Sequence, residues 1–283
     1  MSTLAYSKPQ LRSRPLWGWA LNDGLVVARR NLIQTVRVPE LMFFSLVQPV
    51  IFVLLFAYVF GGAIPIPGDA GANAYREYLM PGIFGQTVAF AAAASTVGLA
   101  EDLHKGIIDR FRSLPMSPPA VLLGRTFADA ARQVLVLVVL SITGLLVGWR
   151  INNGLLNALW AYALLLLFAY TVAWIGSWVG LYMPNPETAN TAGLIWLFPL
   201  TFLSNCFVPI NTLPGVLQAF AAWNPISAVV LSCRELFGNP TGIQPDFWPL
   251  HHSELYTLLS CTVLIVVFGG LAARRYTHAT TKK

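Results

Sequence analysis

The chain has 283 residues, 56% of them hydrophobic and only 11% charged, with a mean hydropathy of +0.62. A soluble domain carries about 25% charged residues, so the composition excludes one and specifies an integral membrane protein. The net charge of +6 does not indicate a nucleic-acid partner, because the basic residues follow a membrane topology. Cys206, Cys233 and Cys261 show no zinc-ligand spacing, which argues against cysteine-based or metal chemistry.

Residues 1–16 are polar and basic and read as a cytoplasmic tail. In 17–37, Leu21, Leu25, Ala28, Leu32 and Val36 fall on one helical stripe and Asp23, Arg30 and Arg37 on another. Trp17 and Trp19 suit the headgroup level, so this segment is expected to be an interfacial amphipathic helix; packing against protein is the alternative. No cleavable signal peptide is evident before the first apolar run.

Six runs of about twenty apolar residues follow, which makes the expected fold an all-α bundle of six transmembrane helices within 38–275. They are Leu41–Gly62, Tyr78–Ala100, Ala131–Trp149, Leu155–Met183, Thr188–Val208 and Tyr256–Ala273. With the N-terminus inside, only Arg76, Arg150 and Arg234 of the 18 Lys and Arg fall outside. The positive-inside rule therefore places both termini, including the tail 276–283, in the cytoplasm.

The second and third spans are joined by the polar stretch Glu101–Asp129. Leu103, Ile107, Ile108 and Phe111 recur at helical spacing. Glu101 and Asp102 suit the first turn of a short helix, and Arg110 and Arg112 its last. Pro115, Pro118 and Pro119 are expected to stop it. A surface helix over 101–115 is a place where a cytoplasmic partner can push on the chain.

The loop Ala63–Glu77 reads as external, and Pro184–Glu187 as a short internal turn. The apolar segment Phe198–Phe237 is broken by Pro199, Pro209, Pro214 and Pro225. It predicts two short proline-led helices, Pro214–Trp223 and Pro225–Phe237. Within 209–237 these are expected to dip back into the outer leaflet, with Asn205, Asn211 and Asn224 as partners for freed backbone groups. A packed hairpin or an external gate both fit.

No nucleotide-binding loop, zinc signature or nucleophile elbow occurs. Gly176-Ser-Trp-Val-Gly180 resembles an elbow, with serine misplaced. His251, His252 and Glu254 are weighed as an external metal site and read as a polar linker. Buried free thiols are the default for Cys206 and Cys233, although a disulfide is conceivable. Gln48, Gln86, Arg132 and Gln133 lie in or near the spans, where polar groups face other helices or a cavity.

Glu101–Pro115 (EDLHKGIIDRFRSLP), followed by Gly124-Arg125, resembles the signature of ABC-2 type permease subunits. Tyr58–Ala63 (YVFGGA), Tyr78–Ile83 (YLMPGI), Phe198–Val208 (FPLTFLSNCFV) and Asn224–Ser227 (NPIS) are similar to the daunorubicin/doxorubicin-resistance branch. The resemblance implies a non-catalytic membrane subunit of an exporter in a prokaryotic plasma membrane. Two copies of a separate ATPase would bind ATP and Mg, so the chain itself is expected to hold no cofactor. A second or related permease, membrane lipids and an amphipathic drug, antibiotic or lipid complete the expected partners. Export of lipid or polysaccharide by the same fold, a lipid-metabolising membrane enzyme, and a non-transporting scaffold are the alternatives.

The resemblance also implies that 101–115 is a coupling helix docking on the ATPase, with Glu101, Asp102, Lys105, Gly106, Ile107, Arg110, Phe111, Arg112 and Pro115 as its candidate residues. Gln48, Phe52, Gln86, Phe90, Phe198, Phe202 and Asn205 are the candidates for a substrate path or gate.

Overall fold

A computed structural model describes residues 24, 26–31, 33, 39–59, 74–107 and 118–278. All regular structure among the described residues is helical. The major helices are α1 (Pro39–Val59), α2 (Ala74–His104), α3 (Pro118–Val147), α4 (Gly154–Gly180) and α5 (Pro186–Phe202). They are followed by the short helices α6 (Gly215–Ala222), α7 (Pro225–Phe237) and α8 (Trp248–His251), and by the long α9 (Ser253–His278).

By length and apolarity α2, α3, α4 and α9 can each cross a membrane, and α6 with α7, bent by 73° at Trp223–Asn224, form a broken fifth. α5, at 17 residues, and the apolar part of α1, Leu46–Val59, are shorter. Four or five crossings, rather than the six expected, meet the criterion among the described residues.

Central position in the bundle belongs to α2. Two-thirds of its apolar window is buried, against 17% for α9, whose Val263, Val266 and Val267 face outward. The close approach of α4 to α2 is set by Gly176 and Gly180. A Cβ on Gly176 would run into the Ala92 carbonyl, and one on Gly180 would lie 2.6 Å from the Thr96 carbonyl oxygen. The stretch that resembled an elbow is a small-xxx-small packing stripe, the device by which membrane helices bring their backbones together. Gly193 of α5 packs in the same manner, 2.9 Å from the α carbon of Ala93.

Helix ends follow local chemistry. Asn185 caps α5 by accepting from the Thr188 amide at 2.8 Å, and Asn224 caps α7 by accepting from Ile226 at 2.9 Å. Proline follows each cap at the first helical position. Gly238 ends α7 at φ 71°, a left-handed conformation that glycine adopts without steric cost.

Several boundaries differ from expectation. Pro118 and Pro119 begin α3 rather than ending a preceding helix, because proline's missing amide is harmless in a first turn. The third helix therefore starts well before Ala131. α5 ends at Phe202, not Val208, since Ser204 and Asn205 turn inward to bond Thr201 and Ser227. The last helix runs to His278, with Tyr276 buried beside Leu99, Leu122 and Trp174 instead of belonging to a tail. Within 17–37 the described residues are helical; Val27 and Ala28 are buried, and Gly24 lies against Gly124 of α3. That face packs on protein, while Val26 and Ile33 are exposed.

Candidate functional site

A cavity of about 610 Å³ opens among α1, α2, α3 and α5, with Asn31 at its edge. Helical periodicity builds its walls. From α2, Gln86, Phe90, Ala94, Val97 and Glu101 project into it at steps of three or four residues. From α3 come Arg125, Asp129, Gln133 and Val136, again one face, while α1 adds Gln48, Pro49 and Phe52 and α5 adds Asn190 and Leu194.

One end is charged. Asp102 pairs with Arg125 and lies 3.8 Å from Arg30. Gly98 is what makes room for Arg125, since a Cβ there would meet the guanidinium. Lys105 pairs with Glu101 at 3.0 Å. Deeper in, Asp129 accepts from Ser95 Oγ at 2.7 Å and faces Arg132 at 3.6 Å. Ionised groups in a membrane-embedded wall persist only when paired or hydrogen-bonded.

The other side is aromatic. Phe90 meets Phe198 edge-on at 5.2 Å, and Phe198 stacks on Phe202 at 6.2 Å. Contacts continue through Phe207 at 5.7 Å and Phe56 at 4.7 Å to Phe52 at 5.9 Å. This arc starts and ends on residues that line the cavity. Polar and aromatic surfaces thus share one chamber, a combination that holds an apolar body while a few polar groups orient it.

The structure brings together Gln48, Phe52, Gln86 and Phe90 in the cavity and sets Phe198 and Phe202 in the adjoining arc. Asn205 lies elsewhere, fully buried, donating to the Ser227 carbonyl, while its own carbonyl accepts from Tyr78 and Arg234. Arg234 is itself fully buried, 3.5 Å over the Tyr78 ring, and donates to the carbonyls of Tyr78, Asn205 and Cys206. This hub ties α7 to α2 and to the turn after α5.

Of the candidates in 101–115, Glu101 and Asp102 occupy the last turn of α2, not the first turn of a separate helix. The helix stops where Gly106 takes φ 64° and its amide bonds the Leu103 carbonyl at 3.1 Å. Lys105 and Ile107 flank this turn. Arg110, Phe111, Arg112 and Pro115 lie outside the described residues.

Sequence reading missed Asp129 and Ser95. The available signal was Arg125, Asp129, Gln133 and Val136 at near-regular helical steps, obscured because the charges resembled the end of a loop. Among the described residues no group of three or more His, Cys, Asp or Glu is placed to hold a metal. The three cysteines are buried free thiols.

Residues 24–237 match the family model of the ABC-2 type transporter. The chain is 33% identical over 263 residues to the daunorubicin resistance ABC transporter permease protein DrrB1 of Streptomyces coeruleorubidus, covering 93% of this chain and 89% of that protein. It is 25% identical over 239 residues to the probable doxorubicin resistance ABC transporter permease protein DrrC of Mycobacterium tuberculosis, covering 83% and 82%. The doxorubicin resistance ABC transporter permease protein DrrB of the same organism is 27% identical over 234 residues, covering 80% of each. A family match over most of the chain, and a relative at this identity along nearly its whole length, agree with a multi-pass helical fold enclosing an amphipathic chamber: the chain belongs to the ABC-2 type transporter family.

Proposed function

We propose that the chain is the permease subunit of an ATP-driven exporter that moves amphipathic small molecules out of a prokaryotic cell. In this reading α1 and α5 complete a six-span domain with both termini cytoplasmic. A second permease, identical or related, pairs with it, and two copies of an ATPase subunit bind ATP and Mg. The chain itself is non-catalytic.

The observation that carries this reading is that one unbroken helix both walls the cavity and ends at the turn assigned to ATPase docking. At 1.5 Å per residue the 31 residues of α2 span roughly 46 Å, against about 30 Å of hydrocarbon. Gln86 and Phe90 line the chamber and Glu101–Gly106 form the cytoplasmic tip. Closure of an ATPase dimer against that tip shifts α2 and with it the chamber wall, favouring one access state over the other. A volume of about 610 Å³ lies in the range of pockets for drug-sized ligands, which favours a compact amphipathic molecule over a polysaccharide chain.

The test is ATP-dependent uptake of fluorescent amphipathic drugs into inverted vesicles from cells coexpressing the chain and the ABC ATPase encoded nearest to it. Wild-type vesicles are expected to accumulate drug, and Phe90→Ala or Gln86→Leu to cut uptake several-fold at equal membrane abundance. Uptake indistinguishable from vesicles lacking the chain would sink the reading and favour a scaffold.

A further inference from the structure

The middle of the cavity holds an acid whose bonding is incomplete. Asp129 is 8% exposed, lines the cavity, and among the described residues receives one hydrogen bond, from Ser95. Its Oδ1 faces Arg132 Nη2 at 3.6 Å, beyond hydrogen-bond length. An ionised carboxylate offers about four acceptor positions, and leaving them unfilled at a buried position is costly. The other lining acids are better served: Asp102 by Arg125 and Arg30, Glu101 by Lys105. Among the described residues Asp129 is the lining acid with no cation within hydrogen-bond distance.

Its surroundings add a second signal. Gln133, one turn along α3 and lining the same wall, is 8% exposed, and among the described residues its carbonyl oxygen has no partner. Gln86, 7% exposed, lines the chamber from α2. An amide and a carboxylate short of donors call for a ligand that brings donors, and the carboxylate calls for positive charge.

We infer that Asp129 is the recognition point for a protonated amine on an apolar body, with Gln133 and Gln86 as flanking partners. This rests on the reading of the cavity as the transport path. The ammonium docks on Oδ1 in place of Arg132, whose side chain is one-third exposed and can withdraw along its flexible stem. The apolar body lies toward Phe52 and Phe90. A neutral ligand of the same shape lacks the charge-assisted bond, and an anion meets like charge.

The experiment uses the full chain in nanodiscs and two probes, dansylcadaverine, a primary amine on an aromatic body, and its N-acetyl derivative, which is neutral. Wild type is expected to bind the amine about ten-fold or more tightly than the acetylated probe, the scale of one hydrogen bond to a charged group. Asp129→Asn, which keeps an acceptor for Ser95, should erase the difference. Arg132→Gln should tighten amine binding, because it removes the internal competitor. Equal affinity for both probes in wild type overturns the assignment. So does an Arg132→Gln variant that weakens the amine as Asp129→Asn does, since an ion pair that merely holds the fold predicts the same sign for both. Binding of neither probe also overturns it, and leaves the exporter reading to the vesicle assay, which does not require an amine. If Asp129→Asn fails to fold, the wild-type probe pair and Arg132→Gln still decide.

Discussion

Arg234 is fully buried, and among the described residues no carboxylate pairs with it. Three backbone carbonyls and the face of Tyr78 share its charge instead. Replacing it with methionine preserves apolar volume but removes one donor from each of those carbonyls, of which Asn205 keeps the Tyr78 hydroxyl. With one buried acceptor, the Cys206 carbonyl, losing its donor at roughly 1–3 kcal/mol, Arg234→Met should destabilise the chain by about 1–3 kcal/mol. Lysine should rescue only part of this, lacking the planar fork that reaches two sites. Thermal unfolding in detergent checks the order, wild type above Arg234→Lys above Arg234→Met, and equal midpoints would remove the hub from the account. The positive-inside count placed this arginine on the external side without partners. A count of charges by segment cannot see carbonyls gathered from Tyr78, Asn205 and Cys206, which are distant in sequence.

At the scale of elements, the start of α7 was legible. Asn224-Pro225 marks it, and the proline-broken apolar segment resolves into α6 and α7, whereas Asn185-Pro186 starts α5 inside 184–187, which read as a turn. The start of α3 was not legible, because Arg125, Asp129 and Arg132 resemble a loop until Asp102 and Ser95 of α2 are seen to meet them. The same holds for Gly176 and Gly180, whose spacing gains meaning only from Ala92 and Thr96 opposite. Packing there is backbone on backbone, so Gly176→Leu forces the helices apart. Overpacking of this kind costs about 1–3 kcal/mol. Gly270→Leu on α9, where an added Cβ has nothing within 4 Å, is the matched control. Detergent melts should show a lower midpoint for the first and little change for the second; equal shifts would mean that the α2–α4 contact is not what sets stability.

For the whole molecule, the account depends on α2 acting as one body from the chamber to its tip. Gln86 and Phe90 were readable as chamber residues from polar and aromatic positions inside an apolar run, whereas Asp129 became readable only from the assembled bundle. The turn at Gly106 is the tip's distinctive feature. Its φ of 64° disfavours any residue with a Cβ by about 1–2 kcal/mol, yet among the described residues nothing lies within 4 Å of an added Cβ. A bulky residue there alters the tip without disturbing the chamber. The measurement that tests the central claim most directly is drug-stimulated ATP hydrolysis by the copurified complex of this chain and its ATPase, compared between wild type and Gly106→Trp. The account predicts that an ATPase copurifies with wild type, that drug raises its hydrolysis, and that Gly106→Trp abolishes the stimulation or breaks the complex while membrane insertion persists. An ATPase that fails to copurify, or stimulation unchanged in Gly106→Trp, would contradict it.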